Sequence, residues 1–363
     1  MYKGTGISKD QLSDDGEPCI LYGELYTKYK SETIREVISK TNIDNTKLVR
    51  SKANDVIIPC SGETAEDIAT ARCVLNGNIL LGGDLNIIRL HGYDGAFMSY
   101  QLNGRRKYDI AKVAQGVSVV HLYGEHLKGV KTINPCLEEQ KKIAKLLSLL
   151  DERIATQNKI IEDLKKLKSA IIEIEYTPNT KTTSPIGDVI EQISKRNKNN
   201  AIQNVLSVSN RQGFIKQSDQ FENRNVASED TSNYKIVEKN DFAFNPARIN
   251  VGSIARLTTF EKGIVSPMYI CFRTQENVAP EYIDYFFESK HFYCEIQKRL
   301  EGSVRQCLSF EGLCNIPLSL PSFEMQQLIG KRLFTLEQKI KTETDLLELL
   351  NKQKQYLLRQ MFI

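Results

Sequence analysis

Histidine and cysteine are the side chains best suited to hold a metal or to act as nucleophile and base, and in this sequence they are scattered. His91, His121, His126 and His291 show no ligand spacing, and His121 and His126 lie five apart rather than at the i, i+4 of a zincin helix. The eight cysteines, Cys19, Cys60, Cys73, Cys136, Cys271, Cys294, Cys307 and Cys314, include no CxxC pair. Reduced structural thiols are therefore expected, rather than zinc ligands or disulfides. No GxxxxGK[ST] phosphate loop is present, and Gly4-Thr5-Gly6 lacks both a third glycine and a preceding strand. NPAR at Asn245 is not the Asn-Pro-Pro-aromatic tetrapeptide that adenine methyltransferases use. What remains are clusters of polar side chains able to make directional hydrogen bonds. Lys3, Thr5, Ser8 and Lys9 crowd a Gly-rich loop, and Arg105, Arg106 and Lys107 form the densest basic run. Asn210, Arg211 and Gln212 follow the strand-like VLSVS, Arg248 and Asn250 flank a further turn, and Arg305 closes the list. Taken singly, each also suits a solvated surface.

The element that must position these groups occurs twice. Residues 135–176 and 321–362 align without a gap at an offset of 186, with Pro135 on Pro321, Gln140 on Gln326 and Glu162 on Glu348. The apolar seam of the first copy is Ile143, Leu147, Leu150, Ile154, Ile161, Leu164 and Ile171. In the second it is Ile329, Leu333, Leu336, Ile340, Leu347, Leu350 and Leu357. Both seams skip the same two places, Gln157 and Lys168 against Glu343 and Lys354. A repeat of 3.5 residues is a coiled-coil signal. Each helix would span roughly 60 Å at 1.5 Å per residue. A helix with one bare apolar stripe needs a partner, and the other copy is the nearest one.

The plan is a variable domain (1–134), a constant helix (135–176), a second variable domain (177–320) and a second constant helix (321–363). The constant part begins before the helices, since Gly116, Leu122, Glu125 and Leu127 match Gly302, Leu308, Glu311 and Leu313 at the same offset. Upstream of Gly116 the halves differ strongly. The first domain reads as mixed α/β: DVIIP is a buried-strand pattern, NILLGGDLNIIRL two strands about Gly82-Gly83, and GAFMSYQLNG has helical spacing. TPNTKTTSP reads as a linker. In the second domain VLSVSN, FAFNPARI and MYICFR read as strands, and residues 280–289 and 291–300 as helices with aromatic faces. The net charge is +4, and residues 1–134 and 177–315 each carry 17 basic and 16 acidic side chains. Neither segment is basic enough to announce nucleic acid, so positive charge would have to be gathered by the fold. No run of about 18 apolar residues suggests a membrane span. The start MYKGTGISKD has no apolar h-region, and a cytoplasmic protein is expected.

This plan, with these residues, resembles the specificity subunit of type I restriction–modification enzymes. GVSVVHLYGEHLKGVKTINPCLEEQKKIAKLLSLLDERI is similar to that family's entry into its central conserved helix. NDFAFNPARINVGSIA with GIVSPMYICFR resembles its target recognition core, and NDVIIPCSGETAEDIA with GGDLNIIRL resembles another variant of it. The resemblance implies an α+β chain: two mixed α/β recognition domains joined by two long antiparallel coiled-coil helices, with pseudo-twofold character. Each domain would read one half of a split target in double-stranded DNA. Methyltransferase subunits would dock on the frame and bring S-adenosylmethionine, and a motor and nuclease subunit would bring ATP and magnesium. The chain itself would hold no cofactor and no metal, would be no enzyme, and would involve no membrane.

On that reading, Lys3, Thr5, Ser8, Lys9, Arg105, Arg106, Lys107, Asn210, Arg211, Gln212, Arg248, Asn250 and Arg305 are the expected DNA contacts. Arg suits guanine and Asn or Gln suits adenine, while Lys and Ser anchor phosphates. One departure stands out. SPIGDVIEQISKRNKNN opens the second domain, and the first lacks a counterpart before KGTGISKD, so an uncovered sheet edge is expected there. Rival readings are a coiled-coil scaffold joining two protein-binding domains, a shortened silent allele, and a fused nuclease or methylase, which the missing motifs disfavour.

Overall fold

The computed structural model describes residues 1–44, 47–116, 118–177, 183–210, 212–302 except 221–229, and 306–362. Arg211, Arg305 and most of the linker-like stretch, 178–182, lie outside the described residues. The chain divides into two compact units, Met1–Ile160 with Glu343–Ile363, and Ile161–Thr342. The division cuts both long helices, so each unit contains a piece of each.

The two larger sheets of the first unit are built from β1 (Tyr2–Lys3), β2 (Leu12–Ser13), β3 (Glu17–Ile20), β4 (Thr33–Ile34), β5 (Ser39–Thr41), β6 (Asp55–Pro59), β7 (Arg72–Val74), β8 (Leu80–Leu81) and β9 (Leu85–Ile88). Their orders are β1-β9-β6-β7-β4 and β2-β5-β3-β8. Helices α1 (Gly95–Asn103) and α2 (Lys107–Lys112) follow, then the long helix α3 (Leu137–Tyr176). DVIIP is wholly buried because β6 is central in its sheet, which is why it reads as an unbroken apolar run.

The two larger sheets of the second unit are built from β10 (Ile190–Ile193), β11 (Val205–Ser209), β12 (Gly213–Lys216), β13 (Lys235–Glu238), β14 (Phe242–Phe244), β15 (Ile254–Arg256), β16 (Lys262–Val265) and β17 (Ile270–Thr274). The sheets are β10-β17-β14-β15 and β12-β11-β16-β13. Helices α4 (Pro280–Phe286), α5 (Lys290–Arg299) and the long α6 (Phe323–Gln360) complete it.

The two units share a plan. β1 pairs antiparallel with β9 where β10 pairs antiparallel with β17, and β3–β8 and β11–β16 are both parallel pairs. The edge expected to be open is thus covered in part by Tyr2 and Lys3, a strand of two residues and too short to leave a periodic signal. Although the halves differ strongly upstream of Gly116, the offset of 186 persists in one turn. Asn54 and Asn240 both have positive φ, at 76° and 70°. Asp55 accepts from the Lys52 amide and Asp241 from the Glu238 amide, each at 2.8 Å. Asp55 then pairs with Arg89, and Asp241 with Arg273.

Within each unit the helix pieces run antiparallel. In the first, Ala144 and Leu147 near the start of α3 share a buried cluster with Leu358 and Phe362 at the end of α6. Phe97 of α1 joins them, its ring 5.3 Å from that of Phe362. Gln157 donates to the Glu343 carbonyl at 3.0 Å, so a skipped seam position meets its own counterpart. In the second unit Lys168 near the end of α3 meets Glu337 near the start of α6. The seam residues Ile143, Leu147, Leu150, Ile154, Ile161, Leu164, Ile329, Leu333, Leu336, Ile340, Leu347 and Leu350 are all buried or half-buried.

Candidate nucleic-acid interface

Two contacts attach each domain to its helices through sequence-equivalent residues. Gln140 and Gln326 are buried one turn inside the long helices. Gln140 donates through Nε2 to the Pro135 carbonyl at 2.7 Å and accepts through Oε1 from the Asp94 amide at 2.9 Å. Gln326 donates to the Pro321 carbonyl at 2.9 Å and accepts from the Ala279 amide at 3.0 Å. Asp94 and Ala279 are the N-caps of α1 and α4. One amide side chain thus fastens the start of a long helix to the start of a domain helix and leaves no buried donor idle.

The second contact uses the skipped lysines. Lys354 lies 2.6 Å from Asp151 and 2.5 Å from Glu32, and Tyr100 donates to Asp151 at 2.7 Å. Lys168 lies 2.9 Å from Glu288 and 3.4 Å from Glu337, and Tyr285 donates to Glu337 at 3.1 Å. The settings differ in hydration: Glu32 and Asp151 are each 9% exposed, against 47% and 49% for Glu288 and Glu337. Burial pushes the Glu32 carboxyl up, against the pull of Lys354. Burial also works against the Lys354 ammonium, but Glu32 and Asp151 outweigh it and leave its pKa raised.

These contacts hold domains whose polar residues face outward. In the second unit Asn210 and Gln212 are exposed in the turn between β11 and β12. That turn lies against a second one: a side chain built on Gly252, which has φ 86°, would come 3.8 Å from the Asn210 Cβ. Buried Asn245 shapes the second turn, accepting from the Ala247 amide at 3.1 Å. Ser253 ties it back to β11 by donating to the Val208 carbonyl at 3.3 Å. Arg248 is left exposed and Asn250 half-buried. The fold thus brings Asn210 beside the 248–252 turn, although 38 residues separate Asn210 from Arg248 in sequence.

In the first unit the candidates fall into separate places. Lys9 and Ser8 line a cleft of about 690 Å³ with Leu21, Tyr22 and Lys28. Arg105, Arg106 and Lys107 line another, of about 550 Å³, with Gln355 and Arg359 of α6, and the two clefts share no residue. Thr5 and Ser8 are engaged locally: Thr5 Oγ accepts from the Val49 amide at 3.2 Å, and Ser8 donates to Gln11 at 2.9 Å from its amide. Arg106 faces Asp109 at 3.5 Å, whereas Arg105 is exposed.

A feature not singled out by sequence lies beside Lys3. Its ammonium sits 5.8 Å from the Tyr123 ring centre, and the Arg89 guanidinium 4.9 Å from that of Tyr2. His121 stacks on Tyr123 at 6.3 Å. Both tyrosines are exposed, so each of these two cation–ring pairs, which adjacent strand residues send to opposite sides of the sheet, offers a ring on which a base could stack. Their residues come from distant parts of the chain, and no spacing reveals them. Among the described residues there is no group of three His, Cys, Asp or Glu able to hold a metal ion, and no helix long and apolar enough to cross a membrane.

Comparisons with known proteins agree with this picture. A family model described as the type I restriction modification DNA specificity domain matches residues 3–166 and 178–352. The chain is 24% identical over 366 residues to the type I restriction enzyme MjaVIII specificity subunit of Methanocaldococcus jannaschii, covering 92% of this chain and 82% of that one. A putative type I restriction enzyme MjaX specificity subunit of the same organism is 27% identical over 255 residues, covering 63% of this chain and 56% of the relative. Among solved structures, the S subunit of a type I restriction–modification system from M. genitalium superposes with a TM-score of 0.62 at 17% identity, covering 100% of this chain and 93% of that one. A second structure, described as the basis of complex assembly and conformational transition of the type I R-M system, gives 0.53 at 13% identity, covering 98% and 93%. The chain belongs to the type I restriction–modification DNA specificity family, as a recognition subunit and not as an enzyme in its own right.

Proposed function

We propose that each unit reads one block of a bipartite duplex DNA target, and that the long helices form the frame on which the methylating and motor subunits assemble. The observation that carries this is the duplication of the whole unit, sheets and helix attachments included, around different outward-facing polar turns. A frame that is constant in sequence, with variable surfaces held on it, suits two readers of different sequence at one spacing. Asn210, Gln212, Arg248 and Asn250 are the base-edge and phosphate contacts of the second unit. Lys3, Lys9 and Arg105 serve the first, with Tyr2 and Tyr123 as stacking surfaces. Arg211 and Arg305 keep the same role on sequence grounds. S-adenosylmethionine, ATP and magnesium belong to the partner subunits, and the assembly works in the cytoplasm.

Because the chain carries nearly balanced charge, its hold on DNA rests on cations gathered locally by the fold. The test is a titration of the co-expressed chain and methyltransferase subunit with duplex DNA across a salt series. The logarithm of affinity should fall linearly with the logarithm of salt. A salt-independent or absent interaction would favour a protein-binding scaffold.

A further inference from the structure

Four cations meet in one groove of the second unit, and none of them belongs to the turns described above. The groove encloses about 720 Å³, and Lys195, Arg196, Lys198 and Lys262 line it with Ile202 and Ile236. Its described lining contains no carboxylate. Of the carboxylates nearby, Glu238 faces Lys262 at 2.8 Å, and Asp230 accepts from the Ser232 amide at 2.8 Å. Arg196 donates to a neutral group, Asn233 Oδ1, at 2.9 Å, and Lys195 and Lys198 stand exposed.

The main chain beneath these cations is fixed. Buried Asn197 bridges the loop, donating through Nδ2 to the Ile202 carbonyl at 2.9 Å and accepting through Oδ1 from the Ile202 amide at 3.1 Å. Its own amide donates to the Tyr234 carbonyl at 3.0 Å, and the Ile236 amide donates to the Lys195 carbonyl at 2.8 Å. A loop tied in this way to β13 has little ordering left to lose when it binds. The shared plan of the units does not require the charge. Residues 194–204, between β10 and β11, carry three cations and no carboxylate. The same link in the first unit, residues 4–16 between β1 and β3, carries Lys9 with Asp10, Asp14 and Asp15. Like charges gathered together repel, so such a cluster points to an anion that joins it.

The groove lies apart from the base-reading turns. It sits at the start of β11, where Asn204 donates to the Lys262 carbonyl at 3.0 Å, whereas the turn of Asn210 follows the end of that strand. Five residues of strand span about 16 Å, or about five base pairs of duplex at 3.4 Å each. The described lining holds no aromatic ring on which a base could stack. Cations without rings suit phosphates, whose contacts position a duplex without reading it. We propose that Lys195, Arg196, Lys198 and Lys262 form a phosphate-anchoring groove, which grips the DNA backbone outside the bases read by the Asn210 and Arg248 turns and supplies sequence-independent affinity to the second unit. This rests on the reading of the units as DNA readers.

The experiment uses the complex with its methyltransferase subunit, as wild type and with Lys195→Gln and Lys198→Gln combined. Both lysines are exposed, so the change leaves the core intact. Each complex is titrated with a duplex of the mapped methylation motif and with a scrambled duplex of the same length, across a salt series. A phosphate contact adds about 0.9 to the slope of log affinity against log salt, so the double variant should lose about 1.8 from that slope. Affinity should fall by the same factor for both duplexes, and the motif should stay the same. Lys290→Gln, which removes an exposed cation of α5 in the same unit, should keep the wild-type slope; a slope reduced there as well would trace the effect to net charge and overturn the groove. An unchanged slope in the double variant, beside a salt-dependent wild type, overturns the groove alone. A loss confined to the motif duplex would make the lysines readers of bases, and loss of the methyltransferase subunit at an unchanged slope would give the groove to an acidic protein surface; either result overturns the anchor. A wild-type complex that holds neither duplex overturns the reading of the units as well.

Discussion

Replacing Lys354 with methionine removes an ammonium from between two carboxylates that water barely reaches. Glu32 and Asp151 are each 9% exposed, and the other groups on Asp151, the Tyr100 and Ser31 hydroxyls, are neutral. Breaking a buried pair in this way costs about 3–5 kcal/mol, and the Arg72 guanidinium, which attracts both carboxylates, keeps the loss toward the lower end. Lys168→Met makes the same chemical change at the equivalent helix position. There the stranded carboxylates, Glu288 and Glu337, are half in solvent, and the loss is that of a hydrated pair, about 0–1 kcal/mol. At roughly 2–4 °C per kcal/mol for a unit of this size, the first unit of Lys354→Met should melt about 10 °C lower. Burial raises the Glu32 pKa, so the penalty should shrink as pH is lowered and the stranded carboxyl takes up a proton. Hydrogen-exchange mass spectrometry across a urea series reads the two units separately. Equal losses for the two variants, or a larger loss for Lys168→Met, would refute the argument that burial sets the difference.

Three further outcomes follow from the geometry. Gln140→Leu should leave the Asp94 amide and the Pro135 carbonyl without their partner, at about 1–3 kcal/mol, with faster exchange at the start of α1; unchanged exchange there would contradict the attachment. Burial, helped by Glu288 and Glu337 and opposed by Arg256, pushes the Asp284 carboxyl up to about 6. The folded chain then holds a proton that the unfolded chain has released, so relative to Asp284→Asn the wild type should lose stability as pH rises from about 4 to about 6; parallel pH profiles would show that the group titrates normally. Arg248→Ala should relax one specified position of the target, worth about 1–3 kcal/mol for a lost bidentate contact, and an unaltered methylation motif would remove Arg248 from the reading set.

What could be read from the sequence was whatever the frame repeats. Gln140 with Gln326, and the skipped pairs Gln157 with Glu343 and Lys168 with Lys354, coincide because two copies packing on each other need the same group in the same place. The partners of the lysines could not be read in this way. Glu32 comes from the stretch before β4 and Glu288 from the turn after α4, so the third member of each cluster is recruited from parts where the halves diverge. The pairing at the first sheet edge is hidden from the sequence for a different reason. Periodicity needs several residues, and β1 has two, recognisable only through its pairing with β9. The candidate contacts were legible as residue types but not as surfaces: Asn210 lies beside the 248–252 turn, which Gly252 closes at φ 86°, whereas Arg105 lines a cleft with the end of α6.

The central claim is that this chain specifies two blocks of sequence. The direct measurement is a methylation map: co-express the chain with its methyltransferase subunit in a host free of methylation, and read modified adenines by long-read sequencing. The expected result is one motif made of two short specified blocks around a gap of fixed length. A motif specified on one side only, or no methylation from a soluble complex, would contradict it.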